Sequence, residues 1–100
     1  MTTQEAKNAI NNYILGNGGE YSKWYVGITS NPEERLFSEH NVTKNNSAWI
    51  YCPCLSSISA RNVESYFLKE RRALGGGGGG DDDSIYVYAY KVASYTIESA

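Results

Sequence analysis

The sequence lacks the features that mark membrane-inserted, secreted or strongly basic proteins. No apolar run approaches the roughly 20 residues of a membrane-spanning helix, and the first residues, MTTQEAKNAI, lack the basic-then-apolar order of a secretory signal. We therefore expect a cytoplasmic protein with no membrane partner. The formal net charge of -2 argues against binding by broad neutralisation of duplex DNA. Any contact with nucleic acid should be local.

Cysteine and histidine are scarce. The two cysteines, Cys52 and Cys54, flank Pro53 at a spacing too tight for a comfortable disulfide. A structural zinc site needs four ligands, and the chain adds a single histidine, His40, to these two thiols. We interpret the Cys-Pro-Cys segment as packing with reduced thiols.

What the chain does contain indicates one folded domain. One hundred residues are enough for one core but few for two. The chain is 41% hydrophobic and includes nine tyrosines, which excludes a disordered composition. Six glycines followed by three aspartates cannot bury apolar surface, so residues 75–84 are predicted to be a flexible loop within a single domain spanning 1–100.

Three helices are predicted. Apolar residues spaced three and four apart favour a helix over 3–15. Asn31-Pro32-Glu33-Glu34 combines a cap, an N1 proline and a glutamate three residues after the cap, which predicts a helix from Pro32 to about His40. A third helix is predicted to be capped by Ser59. Its expected buried stripe is Val63, Tyr66, Phe67 and Leu74.

Three strands complete the prediction. Residues 23–29 and 48–52 are rich in aromatic and β-branched side chains, and residues 84–92 alternate with period two. The alternation assigns one face of the last strand to Ile85, Val87, Ala89 and Lys91, and the other to Tyr86, Tyr88 and Tyr90. The predicted fold class is α+β, with a small mixed or antiparallel sheet of about three strands packed with three helices.

The segment from Tyr25 to Glu64 resembles the core of the GIY-YIG nuclease superfamily. Tyr25-Val26-Gly27 and the predicted helix after it resemble the YIG strand and its helix, and Arg35 keeps the family's separation of eight residues from the glycine. Farther along, residues 60–64 resemble the helix that carries the metal-binding glutamate of the family, which corresponds to Glu64.

This resemblance implies a phosphodiester site. Tyr25 and a second tyrosine would position or activate water, Arg35 would hold the phosphate, and Glu64 would bind Mg²⁺ or Mn²⁺. Such residue types suit the chemistry, because cleavage requires a polarised nucleophile and cations that stabilise the phosphoryl oxygens. The second tyrosine would be Tyr13 if it ends in a strand, whereas its periodicity indicates a helix. His40 follows Arg35 by five residues where the family has four, which is roughly 100° away on an α-helix.

Each candidate also has an ordinary structural explanation. Tyr25 can simply pack on the sheet, and Arg35 can be a solvated side chain of a surface helix. Glu64 lies three residues after Arg61, so the two can form a surface ion pair. His40 can interact favourably with the partial negative charge at the C-terminal end of a helix.

Three functions remain open from the sequence. The first is a metal-dependent endonuclease. The second is an inactive binding protein that sequesters a small or cyclic nucleotide, similar to phage anti-defence sponges, between Arg35, Arg61 and stacking aromatics such as Trp24 or Tyr88. The third is a protein-interaction domain or homo-oligomer that uses an exposed tyrosine stripe on a terminal edge strand.

Overall fold

The computed structural model describes residues 1–77 and 80–100. Within these residues a three-stranded antiparallel sheet packs with three helices, and a short 3₁₀ turn precedes the first strand, which confirms the predicted α+β class. The elements are α1 (Thr3–Gly16), β1 (Trp24–Thr29), a π-helix (Glu34–Glu39), β2 (Trp49–Pro53), α2 (Ser57–Lys69) and β3 (Tyr86–Lys91).

The strand order is β1-β3-β2, so the last strand in the sequence lies at the centre of the sheet. Tyr25 pairs with Tyr90 and Gly27 pairs with Tyr88 on one side of β3, while Cys52 pairs with Val87 on the other. The prediction of a terminal edge strand is therefore wrong. Periodicity reports which faces of a strand are buried but does not report which strands flank it.

One face of the sheet packs on α1 and α2. Alternate residues of β1 and β3 enter this core. The period-two pattern had predicted this for β3. A capping box at Thr2 and Glu5 starts α1. The core cluster includes Ala6, Ile10, Ile14, Trp24, Val26, Ile28, Val63, Phe67, Val87 and Ala89, all buried.

The third helix differs from its prediction at both ends. Ser56 rather than Ser59 is the N-cap of α2, and the Ser56 hydroxyl accepts a hydrogen bond from the Ser59 amide at 3.1 Å. The helix ends at Lys69, so Leu74 lies beyond it and is 43% exposed. Leu74 instead pairs its backbone with β1, with its amide donating to the Trp24 carbonyl at 2.8 Å.

The opposite face of the sheet carries the tyrosines and is covered by the π-helix. Tyr25, Tyr88 and Tyr90 pack there against Leu36 and Val42. The His40 amide donates to the Arg35 carbonyl at 3.0 Å, which is the five-residue bond of a π-helix. The prediction of α-helical geometry for this segment is therefore wrong. Because a π-helix has wider turns, residues that are five apart, such as Arg35 and His40, lie closer to the same face than they would on an α-helix.

Part of the glycine-rich segment is closely packed. A Cβ atom on Gly75 would lie 2.5 Å from the Val26 carbonyl oxygen and 2.7 Å from a methyl group of Leu68. The predicted loop over 75–84 also includes residues 78 and 79, which lie outside the described residues. The described part of that loop, 75–77 and 80–84, contains no helix or extended strand.

Among the residues that the structure describes, neither α1 nor α2 combines the length and the apolar character needed to cross a bilayer.

Candidate phosphodiester site

A pocket of about 600 Å³ opens beside the end of β1. Its walls come from β1, the π-helix, α2 and β3, together with glycines 76, 77 and 80 and the C-terminal residues 98–100. Tyr25, Arg35, Glu64 and Tyr88 all line it. The structure thus brings together four of the residues singled out from the sequence, and they come from four different elements.

Tyr88 connects Arg35 to His40. Its hydroxyl oxygen accepts a hydrogen bond from Arg35 Nε at 3.3 Å and lies 2.8 Å from His40 Nε2. The other ring nitrogen, Nδ1, lies 2.6 Å from the Ile97 carbonyl oxygen. Because a carbonyl only accepts, Nδ1 carries the hydrogen, and Tyr88 donates to Nε2.

Burial keeps the side chains of Tyr88 and His40 in their uncharged forms. It raises the pKa of Tyr88 to about 12, although the hydrogen bond from Arg35 opposes the shift. Burial also lowers the pKa of His40 below its ordinary value. Tyr88 is therefore a hydroxyl donor at neutral pH rather than a phenolate base.

Gly27 makes room for the Tyr88 hydroxyl. A Cβ atom at this position would lie 2.5 Å from the hydroxyl oxygen and 2.7 Å from the ring carbon that bears it. Tyr88 is only 1% exposed, so its ring is held on all sides. The glycine of the Tyr-Val-Gly segment is therefore required by the approach of the neighbouring strand.

The guanidinium of Arg35 has partners at each of its nitrogens. Besides Nε to Tyr88, Nη1 forms an ion pair with Glu39, and Nη2 donates to the Ala100 carbonyl oxygen at 2.7 Å. An arginine fork binds phosphate best through two parallel N–H groups. A phosphate that approached Arg35 would therefore compete with Glu39 or Ala100.

Glu64 is a buried carboxylate at the pocket wall. It is 3% exposed, and its Oε1 atom accepts a hydrogen bond from Arg61 Nη1 at 3.0 Å. Burial raises the pKa of Glu64, and the charge of Arg61 opposes that shift. The expected surface ion pair of this residue with Arg61 exists, but its acidic member is buried.

Glu64 could hold a divalent cation together with ligands that the protein does not supply, such as water and phosphate oxygens. Mg²⁺ is commonly held by one or two carboxylates together with waters and substrate phosphates. Glu64 supplies one such carboxylate, and no group of three or more His, Cys, Asp or Glu side chains gathers within 1–77 and 80–100. Glu64 would thus hold Mg²⁺ or Mn²⁺ jointly with phosphate oxygens.

Tyr13 is not the second tyrosine of this site. It belongs to α1, where its hydroxyl accepts a hydrogen bond from the Trp49 amide at 3.0 Å. The tyrosines that lie beside Tyr25 are Tyr88 and Tyr90, whose ring centroids are 6.3 and 5.4 Å away. A helical period in α1 and the central place of β3 together explain why Tyr13 lies elsewhere.

Two aromatic residues predicted to stack on a ligand have buried rings. Trp24 is 0% exposed and points into the core under α1, where Tyr13 packs edge-on against it. Within residues 1–77 and 80–100, no group accepts a hydrogen bond from its buried indole nitrogen. The ring of Tyr88 is also buried, and that residue contributes its hydroxyl instead. Both errors come from treating aromatic side chains near a motif as exposed.

His40 and Arg61 lie beside the pocket rather than on its wall. His40 is 0% exposed and contacts two residues of the pocket wall, through a hydrogen bond with Tyr88 and a ring contact with Tyr25. Arg61 borders a second, adjoining cavity. Two contacts of Arg35 were not anticipated. Glu39 lies four residues after Arg35, a pairing that helical spacing could have indicated, whereas no pattern in the sequence indicates Ala100.

The exposed tyrosine stripe expected for protein interaction is not present. Tyr88 and Tyr90 are 1% and 0% exposed, because the π-helix and the C-terminal residues cover them. The Tyr90 hydroxyl donates to Glu98 at 2.9 Å. Self-association through this stripe therefore loses its structural basis, while the oligomeric state itself stays a prediction.

No model of a known protein family matches this chain, and no curated protein or solved structure matches it significantly. The GIY-YIG resemblance therefore rests on the residues between Tyr25 and Glu64 and stays a prediction.

Proposed function

We propose that the pocket binds the phosphodiester group of a nucleotide or nucleic acid and cleaves it with the help of a divalent cation. The observation that carries this proposal is the position of Arg35, Glu64, Tyr25 and Tyr88 around one cavity. A guanidinium, a carboxylate and phenolic hydroxyls are the groups that phosphoryl chemistry uses for charge stabilisation, cation binding and orientation of water.

The charges of the pocket favour the metal-dependent form of this proposal. Among the described lining residues, Arg35 is the only cation, and it faces the carboxylates of Glu39, Glu64, Asp81 and Glu98. A phosphate without a counter-ion would meet net negative charge there. A divalent cation held by Glu64 would reverse that balance locally.

Each side chain has a role that follows from its position and its contacts. A divalent cation at Glu64 would polarise the phosphoryl group and lower the pKa of bound water. Arg35 donates to phosphoryl oxygens once they replace its contacts with Glu39 or Ala100. Tyr25 borders the cavity and orients water, and Tyr88, protonated at neutral pH, holds Arg35 in place. His40 acts as a positioning residue through Tyr88.

The test is cleavage of supercoiled and single-stranded DNA in the presence of Mg²⁺ or Mn²⁺. We expect Glu64→Gln and Arg35→Ala to lower the rate by roughly 100-fold or more, since each removes a charge that stabilises the transition state. Glu33→Gln is the matched control, because Glu33 pairs with Lys44 on the surface and does not line the pocket. Cleavage that survives Glu64→Gln in a folded protein would contradict the proposal.

A second candidate is sequestration of an intact small nucleotide. The pocket volume of about 600 Å³ favours it, because it lies within the range of small-molecule sites. Thermal shift against linear and cyclic nucleotides, with and without Mg²⁺, separates the two functions. A large shift without turnover would favour sequestration, and a flat response across the panel would count against it.

The proposal places the protein in the cytoplasm. Cys52 and Cys54 are buried free thiols, and burial raises the pKa of Cys52 to about 11. Unpaired cysteines are ordinary in a reducing compartment. Measurement of free thiols in protein isolated without reductant tests this assignment.

A further inference from the structure

A second cavity of about 250 Å³ adjoins the pocket. The two share Ile28, Gly80 and Asp81 as lining residues. The remaining wall of the second cavity comes from the start of α2 and from the aspartate run, through Ser57, Ile58, Arg61, Asn62 and Asp82. A ligand group attached to a phosphate in the pocket can therefore extend directly into this cavity.

The wall of the second cavity combines apolar and planar surfaces. Ile58 is 74% exposed although it is a large aliphatic residue, so it offers apolar area that the fold itself does not bury. Arg61 donates to Glu64 at 3.0 Å and to the Gly77 carbonyl at 3.4 Å. These contacts hold its guanidinium between the two cavities, where a planar cation can stack on an aromatic ring.

The polar groups of this cavity discriminate between ligand types. The carboxylates of Asp81 and Asp82 disfavour a second phosphate and accept hydrogen bonds from neutral N–H groups. Asp81 already accepts bonds from the Asp83 amide and the Ser84 hydroxyl, so Asp82 is the better candidate acceptor. Asn62 adds an amide, which both donates and accepts.

We propose that the second cavity is a nucleobase subsite that prefers bases with an exocyclic amino group. This inference rests on the proposed function, because the base is placed there by a phosphate in the main pocket. Carboxylate side chains pair with the amino group of cytosine in this way. Aliphatic contact with Ile58 and stacking on Arg61 would supply affinity that is independent of base identity.

The experiment compares three probes that share a non-hydrolysable methylene-phosphonate linkage. They are a dinucleotide of deoxycytidine, a dinucleotide of thymidine and a base-free dimer of deoxyribose, each titrated calorimetrically in the presence of Mg²⁺. We expect the cytosine probe to bind about tenfold more tightly than the base-free dimer, and about threefold more tightly than the thymine probe, which lacks the amino group.

Matched variants assign the effect to the second cavity. Asp82→Asn should remove the preference for cytosine over thymine, while Asp83→Asn, outside the cavity, should retain it. Ile58→Ala should weaken both base-containing probes about threefold and leave the base-free dimer unchanged. Leu55→Ala is its control, because Leu55 is 72% exposed and does not line the cavity.

The outcomes separate this inference from the proposed function. Equal affinity for all three probes, with binding that is lost in Arg35→Ala, would overturn the subsite and leave phosphodiester binding intact. Failure of every probe to bind would overturn both. The two cavity variants and their two controls all change exposed side chains, so their folding can be checked by circular dichroism before titration.

Discussion

The two faces of the sheet are built on different interactions. On the face toward α1 and α2, side chains such as Val26, Val87 and Phe67 are fully buried and interlock without polar contacts. On the opposite face, three tyrosines pack around His40. Hydrogen-bond contacts through Tyr90, His40 and Tyr88 link Glu98 to Arg35. The pocket opens at the end of this polar chain.

Stability and the candidate site therefore depend on different properties. On the apolar face, the loss of side-chain volume should lower the free energy of unfolding, because every buried atom there contributes through dispersion and burial. On the tyrosine face, the loss of a hydrogen-bond partner should lower the free energy of unfolding, because a buried polar group without a partner is destabilising. A substitution on the first face should change stability alone, and one on the second should also change binding.

The largest expected effect is on the apolar face. Phe67→Ala removes a ring that is 0% exposed, and we expect a loss of about 3–5 kcal/mol in the free energy of unfolding. Unfolding in guanidinium chloride measures this loss. Leu55→Ala, at a residue that is 72% exposed, should change the free energy of unfolding by no more than about 0.5 kcal/mol. Equal effects would mean that this face is not the core.

Gly27→Ala tests the tyrosine face. The added methyl group would lie 2.5 Å from the Tyr88 hydroxyl, so the ring must move, and we expect a loss of about 1–3 kcal/mol in stability. Phosphodiester binding should fall with it, because Arg35 loses its support. Gly16→Ala is the control, since no described residue beyond its chain neighbours and its own helix backbone lies within 4 Å of the added Cβ, and it should stabilise α1 by up to about 1 kcal/mol.

Removal of Ser99 and Ala100 sharpens the comparison at Arg35. The deletion takes away the carbonyl that accepts from Arg35 Nη2, so a phosphodiester no longer competes with it. We expect affinity for the base-free phosphonate dimer to rise about two- to tenfold, the value of one hydrogen bond. The same deletion in Arg35→Ala should have no such effect, and an equal gain there would place the competition elsewhere.

The smallest effect concerns pH. His40 is the only histidine, so its imidazole resonances can be followed without assignment. Burial lowers its pKa below the ordinary value of 6.5. Its contribution to stability is therefore fully present above pH 6.5 and is lost as the pH falls toward the folded-state pKa.

The measurement is an NMR titration of His40 itself rather than of global stability. The pKa of Glu64 is raised, and that shift adds stability as the pH falls, so the two contributions overlap in an unfolding experiment. A midpoint at or above 6.5 for His40 would show that the imidazole is hydrated or paired with a carboxylate, and would break the hydrogen-bond order inferred for this face.

Much of the architecture could be predicted because it depends on local periodicity. The spacing in α1 predicted its buried face, and the alternation in β3 predicted which residues share each face of the strand; both predictions were confirmed. That both faces of β3 are buried was not predicted. The joint placement of Arg35 and Glu64 at one pocket was also anticipated from the resemblance. The ends of α2 were not, because Ser56 and Ser59 are equally good caps and only the packed helix distinguishes them.

The wrong predictions about the site share one cause, which is the arrangement of distant segments. Tyr13 was a candidate only while the neighbour of β1 was unknown, and β3 occupies that position. The contact between Arg35 and Ala100 joins residues 65 apart in the chain, and it follows no spacing rule. The change from α- to π-helical bonding at His40 likewise depends on what that segment packs against.

Local patterns in the sequence indicate which residues form helices and strands and which side of each is apolar, because those properties repeat within a few residues. Long-range packing places β3 between β1 and β2, buries the tyrosines, and brings four separate elements around one pocket. These features depend on contacts between segments that are far apart in the chain, and a local pattern carries no record of such contacts.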